Sequence, residues 1–448
     1  MSVKGCIRLT EGWKNCRLSW SDDGRLSRIG TGNPGPQATD RIYVPAPANM
    51  HSHAFQRALA GLAEGRAAQE SDFWSWREIM YKFLQFLGPE DMFRITCQLY
   101  VELVRAGYAH VCEFHYLHND PDGRPYSNRS EMANAVIEAA KVAGIGLTLI
   151  PVLYRFGGFG GMPPEPGQRR FIMEEDAYFR LLNDLRVRGD REGFRVGAAL
   201  HSLRAVSAKN VERFSDDLRC PVHIHIAEQE KEVAASLEWS GSRPVAWLLD
   251  HANVDERWTL VHATHMTDGE ARRLAATGAT VALCPTTEGN LGDGLFNAEP
   301  FIRAGGRFGI GSDSNVCTDP CEELRLFDYG QRLRTQRRLV LNTEDMPNAG
   351  AFLWLRAAEA GAAATGSPTG TLAEGMSADF IRLDEEHSSL SGKGGDTLLD
   401  SLIFAPGSGM VCETWVGGRQ ITANGHHPRQ EAVASEFKKT TRSLKELI

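Results

Sequence analysis

Nowhere in the 448 residues do 18 or more apolar side chains run together, which argues against a membrane-spanning helix. The opening Met1-Ser-Val-Lys-Gly-Cys6 has no apolar stretch of signal-peptide length, so the cytoplasm is the expected compartment. Positive charge is scarce: 49 Lys and Arg face 57 Asp and Glu, a formal net charge of −8. That balance argues against nucleic acid or an anionic membrane as the main partner, while leaving room for a local basic pocket. Cys-X-X-Cys spacing is absent. The nine cysteines are scattered and odd in number, and read as reduced, mostly buried residues. The nearest two, Cys317 and Cys321, are assigned to packing rather than to metal. No Gly-X-Gly-X-X-Gly follows the first apolar strand, so nothing favours a doubly wound open sheet.

What the chain does have is a repeated strand-then-helix pattern. After an apolar run that ends near residue 51, strands are predicted at 110–116, 147–153, 195–201, 221–226, 258–262, 280–284 and 308–311. Helices are predicted at 91–105, stopping at Gly107, and at 131–143, capped by Ser130 and stopping at Gly144. A third is predicted at 269–277, capped by Asp268 and stopping at Gly278. Near-continuous apolar strands alternating with helices indicate a parallel sheet covered on both faces, and eight units fit a (β/α)8 barrel with insertions. Short β pieces near both termini, such as 6–10, 16–20, 378–383 and 410–416, predict a small β-sandwich domain built from both ends. The expected division is 1–46 plus 371–425 for that domain, 47–370 for the barrel and 426–448 for a C-terminal helix.

In such a barrel the loops after the C-terminal strand ends form the active site. The first strand ends in His51-Ser-His53, and residues i and i+2 share a face, so both imidazoles can converge on one point. Alone, that pair reads equally well as two solvated histidines. Matching polar residues end the other strands: Tyr116, His201, His225, His262, Glu288 after the seventh, and Asp313. Five histidines and an aspartate at matching ends are hard to account for as packing. In strand five His225 lies nearer the C-terminal end and is the metal candidate, whereas His223 is a hydrogen-bonded core residue one layer deeper. Glu228, three residues on, can carry protons if a dry pocket raises its pKa; its alternative is a solvated residue opening the acidic run Glu228-Gln-Glu-Lys-Glu232. The segment 54–88 reads as a loop insertion over the pocket. His110 and His118 read as residues at element ends without a role in the chemistry.

His51-Ser-His53, His225-Ile-Ala-Glu228, His262 and Ser312-Asp313 together resemble the amidohydrolase superfamily, in its deaminase branch. The resemblance runs over about residues 47 to 340. There is no lysine at the end of strand four, where His201 stands instead, which resembles the mononuclear members. Phe73-Trp-Ser-Trp-Arg-Glu78, Glu113-Phe-His-Tyr116 and His201-Ser-Leu-Arg204 narrow the resemblance to members that act on N-formimino-L-glutamate. The Cys317-Thr-Asp-Pro-Cys321 segment departs from the family's pattern.

The resemblance implies one Zn2+ ion, or another divalent transition metal, per chain, held by His51, His53, His225 and Asp313. It implies that Asp313 takes the proton of the attacking water, that Glu228 delivers protons to the departing ammonia, and that His262 stabilises the tetrahedral intermediate. The substrate it implies is a small dicarboxylate, gripped by Arg77 and Arg204, with hydrogen bonds from Tyr116, His201 and Gln56. Arg77 could instead stack on an indole of its Trp-rich segment, and Arg204 could be a surface residue. A homodimer is implied as well. Two other readings stay open: a nucleobase, nucleoside or other amidine deaminase on the same scaffold, and a non-catalytic barrel retained for binding.

Overall fold

The structure, a computed structural model, describes residues 1–30, 41–62, 64, 73–405, 407 and 409–446. Most of the Ala- and Gln-rich part of the predicted 54–88 insertion, the side chains of Phe73 and Trp74, and Leu447 of the predicted last helix lie outside the described residues.

Eight parallel strands make the barrel: Ala48–Ser52, His110–His115, Gly146–Leu153, Ala198–Ser202, Val222–Ile226, Trp258–His262, Thr280–Leu283 and Arg307–Ile310. They pair in that order. The first, fifth and sixth are buried along their whole length, as expected of strands with the barrel interior on one face and helices on the other. The ring closes where Ser52 bridges Asp313. There the His53 N–H donates to the Asp313 carbonyl and the Asp313 N–H to the His51 carbonyl, both at 2.9 Å.

At the opposite end of the barrel lies the helix Ala349–Thr365, rich in small residues. Gly361 sits against Ala48, where an added Cβ would come within 3.0 Å, so glycine permits the close approach. The Ala364 carbonyl accepts from His223 Nε2 at 2.9 Å, which makes His223 the hydrogen-bonded core residue expected from its place one layer below His225. Among the described residues no helix is long and apolar enough to cross a membrane.

The predicted helices occur as Pro89–Ala106, Glu131–Ala143 and Asp268–Ala276, with Gly107 and Gly144 in the left-handed conformation that ends the first two. The cap of the third is Thr267, not Asp268. Thr267 accepts the Glu270 N–H and Glu270 reaches back to the Thr267 N–H, a reciprocal box that Asp268 cannot make one residue later. The segment 54–88 is not all loop. Phe73–Leu84 is a helix whose Met80, Phe83 and Leu84 are buried, a helical spacing that the crowded tryptophans hide in the sequence.

Strands from the two ends of the chain join in one seven-stranded mixed sheet, in the order Arg419–Ala423, Val411–Val416, Phe380–Leu383, Ile42–Pro45, Ser2–Leu9, Gly12–Trp20 and Leu26–Ile29. Its own apolar cluster includes Ile7, Leu18, Trp20, Tyr43 and Phe380. The last helix, Gln430–Lys445, reaches Pro89–Ala106 through Arg94 and Glu436, 3.6 Å apart.

His110 and His118 turn out to be buried. Burial lowers His110 to about 3, and His118 to about 4 against the pull of the Val152 carbonyl, to which His118 donates. Both are therefore neutral when folded and protonated when unfolded below about pH 6.5. Their contribution to stability is present above pH 6.5 and lost as pH falls toward 3 to 4, by about 1.4 kcal/mol per pH unit per group. His110→Gln keeps a donor for Thr148 Oγ1, 2.8 Å away, and is expected to flatten the fall in urea midpoint between pH 7.5 and 5. Parallel decline of variant and wild type would contradict this.

Candidate active site

Four donors converge at the C-terminal mouth of the barrel. His51 Nε2 lies 3.2 Å from His53 Nε2 and 3.0 Å from His225 Nε2, and Asp313 Oδ1 is 3.5 Å from the first and 3.2 Å from the second. Two tautomers follow from the second nitrogens. His53 Nδ1 faces the Phe114 carbonyl and His225 Nδ1 faces the His201 carbonyl, each at 3.0 Å, and a carbonyl only accepts. Both Nε2 atoms therefore carry lone pairs, because burial lowers His53 to about 3 and His51 and His225 well below their ordinary range. His51 can offer at most one proton to two lone pairs and a carboxylate. A cluster with so few protons fits a cation. Donors ~2.0–2.1 Å from one tetrahedral ion stand about 3.3 Å apart, close to the spacing found. The residues present thus fit a zinc-type ion.

The backbone around these donors is held under strain. Ala227, His262, Ala263, Asp313 and Asn315 all have positive φ, between 45° and 67°, which costs a residue bearing a Cβ roughly 1–2 kcal/mol. Asn315 supports the bend by donating to the carbonyls of His53 and Asp313, both at 2.9 Å. Asn49 does the same below, accepting the Ser312 N–H and donating to its hydroxyl.

Beside the donors stands a buried carboxylate–imidazole pair, Glu228 and His262. Glu228 is only 6% exposed, not the solvated helix residue of the alternative reading, and its helix begins after it, at Glu230. Burial raises Glu228 to about 7 against the opposing influence of His262. His262 lies 3.7 Å from Glu228 through Nε2, which is also 3.8 Å from Asp313 Oδ2, while its Nδ1 faces Glu288 Oε1 at 3.2 Å. Burial would lower His262, but Glu228, Glu288 and Asp313 outweigh it and hold the imidazole charged, at about 10.

The same cavity is lined by Gln56, Arg77, Tyr116, His201 and Arg204, so every residue expected to touch substrate reaches it. His51 sits beneath, fully buried. Gln56 Nε2 donates to the Tyr116 hydroxyl at 2.8 Å, while its buried Oε1 has no hydrogen-bond partner among the described residues. Arg77 pairs with the exposed Glu165 at 3.3 Å and has the Tyr81 ring 5.4 Å from its guanidinium. Several lining residues escaped sequence reasoning: Trp76, Met80 and Tyr81 from the helix Phe73–Leu84, and Tyr154, whose ring lies 4.4 Å from that of His201. A helical reading of 73–84 would have found the first three; Tyr154, just past the third strand, carried a strand-end signal that went unread.

A family model described as the amidohydrolase family matches residues 42–421. The chain is 46% identical over 436 residues to a formimidoylglutamate deiminase of Pseudomonas aeruginosa, covering 96% of each. It is similar to the crystal structure of an amidohydrolase from Brucella melitensis, with a TM-score of 0.91, 44% identity and 98% of each chain covered. An adenosine deaminase from Xanthomonas campestris, solved with bound zinc, shares the fold at a TM-score of 0.81 and 22% identity, covering 99% of this chain and 98% of that one.

Proposed function

Because the chain belongs to the amidohydrolase family, we propose that it hydrolyses N-formimino-L-glutamate to N-formyl-L-glutamate and ammonia, a step of histidine breakdown. The observation that carries the reading is the meeting of two guanidinium groups, Arg77 and Arg204, with Glu228 and the His53–His225–Asp313 donors in one cavity. A substrate with two carboxylates and one hydrolysable C–N bond needs that combination.

His51, His53, His225 and Asp313 would hold one zinc ion per chain, which supplies the Lewis acidity that makes water a nucleophile near neutral pH. Arg77 and Arg204 take the carboxylates, with Tyr116 and His201 beside them, and the open Oε1 of Gln56 accepts from the formimino group. Asp313 takes the proton of the water that attacks the formimino carbon. Cationic His262 stabilises the oxygen of the tetrahedral intermediate. Glu228, with a proton affinity near neutrality, relays to the nitrogen the proton that Asp313 took and then the proton of the intermediate's hydroxyl; the C–N bond breaks as that oxygen becomes the formyl carbonyl, and ammonia leaves. The same reading places the enzyme in the cytoplasm as a homodimer, with the domain limits 1–46 plus 371–425, 47–370 and 426–448.

The direct test supplies zinc-loaded protein with N-formimino-L-glutamate, guanine, adenosine and cytosine and measures ammonia. Release from the first is expected; release only from a nucleobase or nucleoside would refute the reading. Arg204→Ala is expected to raise KM by roughly 10- to 100-fold, since a hydrogen bond to a charged group contributes about 1.5–3 kcal/mol, with a much smaller change in kcat. Steady-state kinetics that show the loss in kcat instead would remove Arg204 from the binding role.

A further inference from the structure

Building on that reaction, we propose that Glu232 is a positioning residue that sets Glu228 for proton transfer and links that setting to the substrate-binding Arg204. Glu232 is the third residue of the helix Glu230–Ser240, where a glutamate ordinarily caps its own helix. Here it reaches back past the N-cap Gln229 into the turn that leaves the fifth barrel strand. Its Oε1 accepts the Ala227 N–H and its Oε2 the Glu228 N–H, both at 3.2 Å. Ala227 has φ 51°, a conformation an alanine holds only when its surroundings impose it. Two successive N–H groups converging on one carboxylate form an anion-binding nest, and this carboxylate, 2% exposed, supplies its anion from within the chain. The bend so fixed aims Glu228 at His262.

The charge of Glu232 acts on two further groups. Burial would lower the proton affinity of Arg204, and the Glu232 carboxylate is the largest of the influences that outweigh it and keep the guanidinium charged. The upward shift of Glu228 comes first from burial and includes a contribution from Glu232. One buried carboxylate thus holds the proton donor's backbone and favours the charged form of the arginine assigned to the substrate.

The test is a double-variant cycle. Glu232→Gln keeps the volume but turns an amide NH2 toward one of the two N–H groups, and is expected to lower kcat about 10- to 100-fold and to raise KM. In a Glu228→Gln background the same change is expected to alter kcat less than about twofold, because what Glu232 positions is already gone, while KM still rises. Equal fold-losses of kcat in both backgrounds would make Glu232 a general structural residue and overturn the proposal. If the glutamine variant does not fold, Glu232→Asp, which keeps the charge and shortens the reach, enters the same cycle. A wild type that releases no ammonia from N-formimino-L-glutamate counts against the reaction rather than against Glu232. The crystal structure of the variant then decides: Ala227 is expected to leave positive φ and Glu228 to move off His262, and an unchanged turn would overturn the proposal.

Discussion

Glu228→Gln is expected to lower kcat by about 10²- to 10⁴-fold and to leave KM within a few-fold, the range for loss of a positioned general acid–base group. Glutamine fills the same space and still faces His262, so binding through Arg77 and Arg204 persists. What it cannot do is carry a proton. The carboxyl it replaces has been pushed by burial to about 7, where giving and taking a proton are nearly balanced at neutral pH. Ammonia release under saturating substrate measures the effect. A kcat within threefold of wild type would dismiss Glu228 from proton transfer and shift attention to Asp313 and His262.

Removing divalent ions should have an effect of the same order or larger. Dialysis against a chelator is expected to lower ammonia release by about 10³-fold or more, and one equivalent of zinc per chain to restore it. The stripped protein is also expected to melt at a lower temperature, because two imidazole lone pairs and a carboxylate lose the cation that satisfies them at 3.0–3.5 Å separations. His225→Ala should resist reconstitution, since it removes one of the four donors that converge among the described residues. Full activity in protein shown metal-free by elemental analysis would refute the assignment of the four residues.

The barrel and its donors could be read from the sequence because barrel strands are apolar on both faces, so each polar residue at a strand end stands out. His51, His53, His225, His262 and Asp313 announced themselves in this way. The supporting carboxylates did not. Glu232 looks like any acidic residue in the first turn of a helix, and its burial comes from a turn that folds back over it. Glu113 lies within an apolar strand, yet the Ala54 N–H that it accepts at 2.6 Å belongs to a segment 59 residues away. Burial raises Glu113 to about 8, and no local pattern could foretell that. The helix Phe73–Leu84 was hidden for a different reason: Trp76 and Arg77 line the cavity, so its composition departs from that of a simple amphipathic helix. Legibility ended where a polar side chain's burial was set by how the chain folds around it rather than by the pattern of its own element.

The bonds that join the first and eighth barrel strands have a consequence for newly made chains. The partners that close the ring, such as Asn49 and Ser312, are 263 residues apart. While the ribosome works through that interval, the first strand has one bare edge, and a bare edge on a parallel sheet invites pairing with neighbouring chains. Two donors, His51 and His53, emerge early and the last, Asp313, emerges late, on the far side of the gap. An ion caught by the early pair would act as a clasp that favours the arrival of the final strand. Metal supply during synthesis is therefore expected to govern how much of the chain escapes aggregation, apart from any part it plays in turnover.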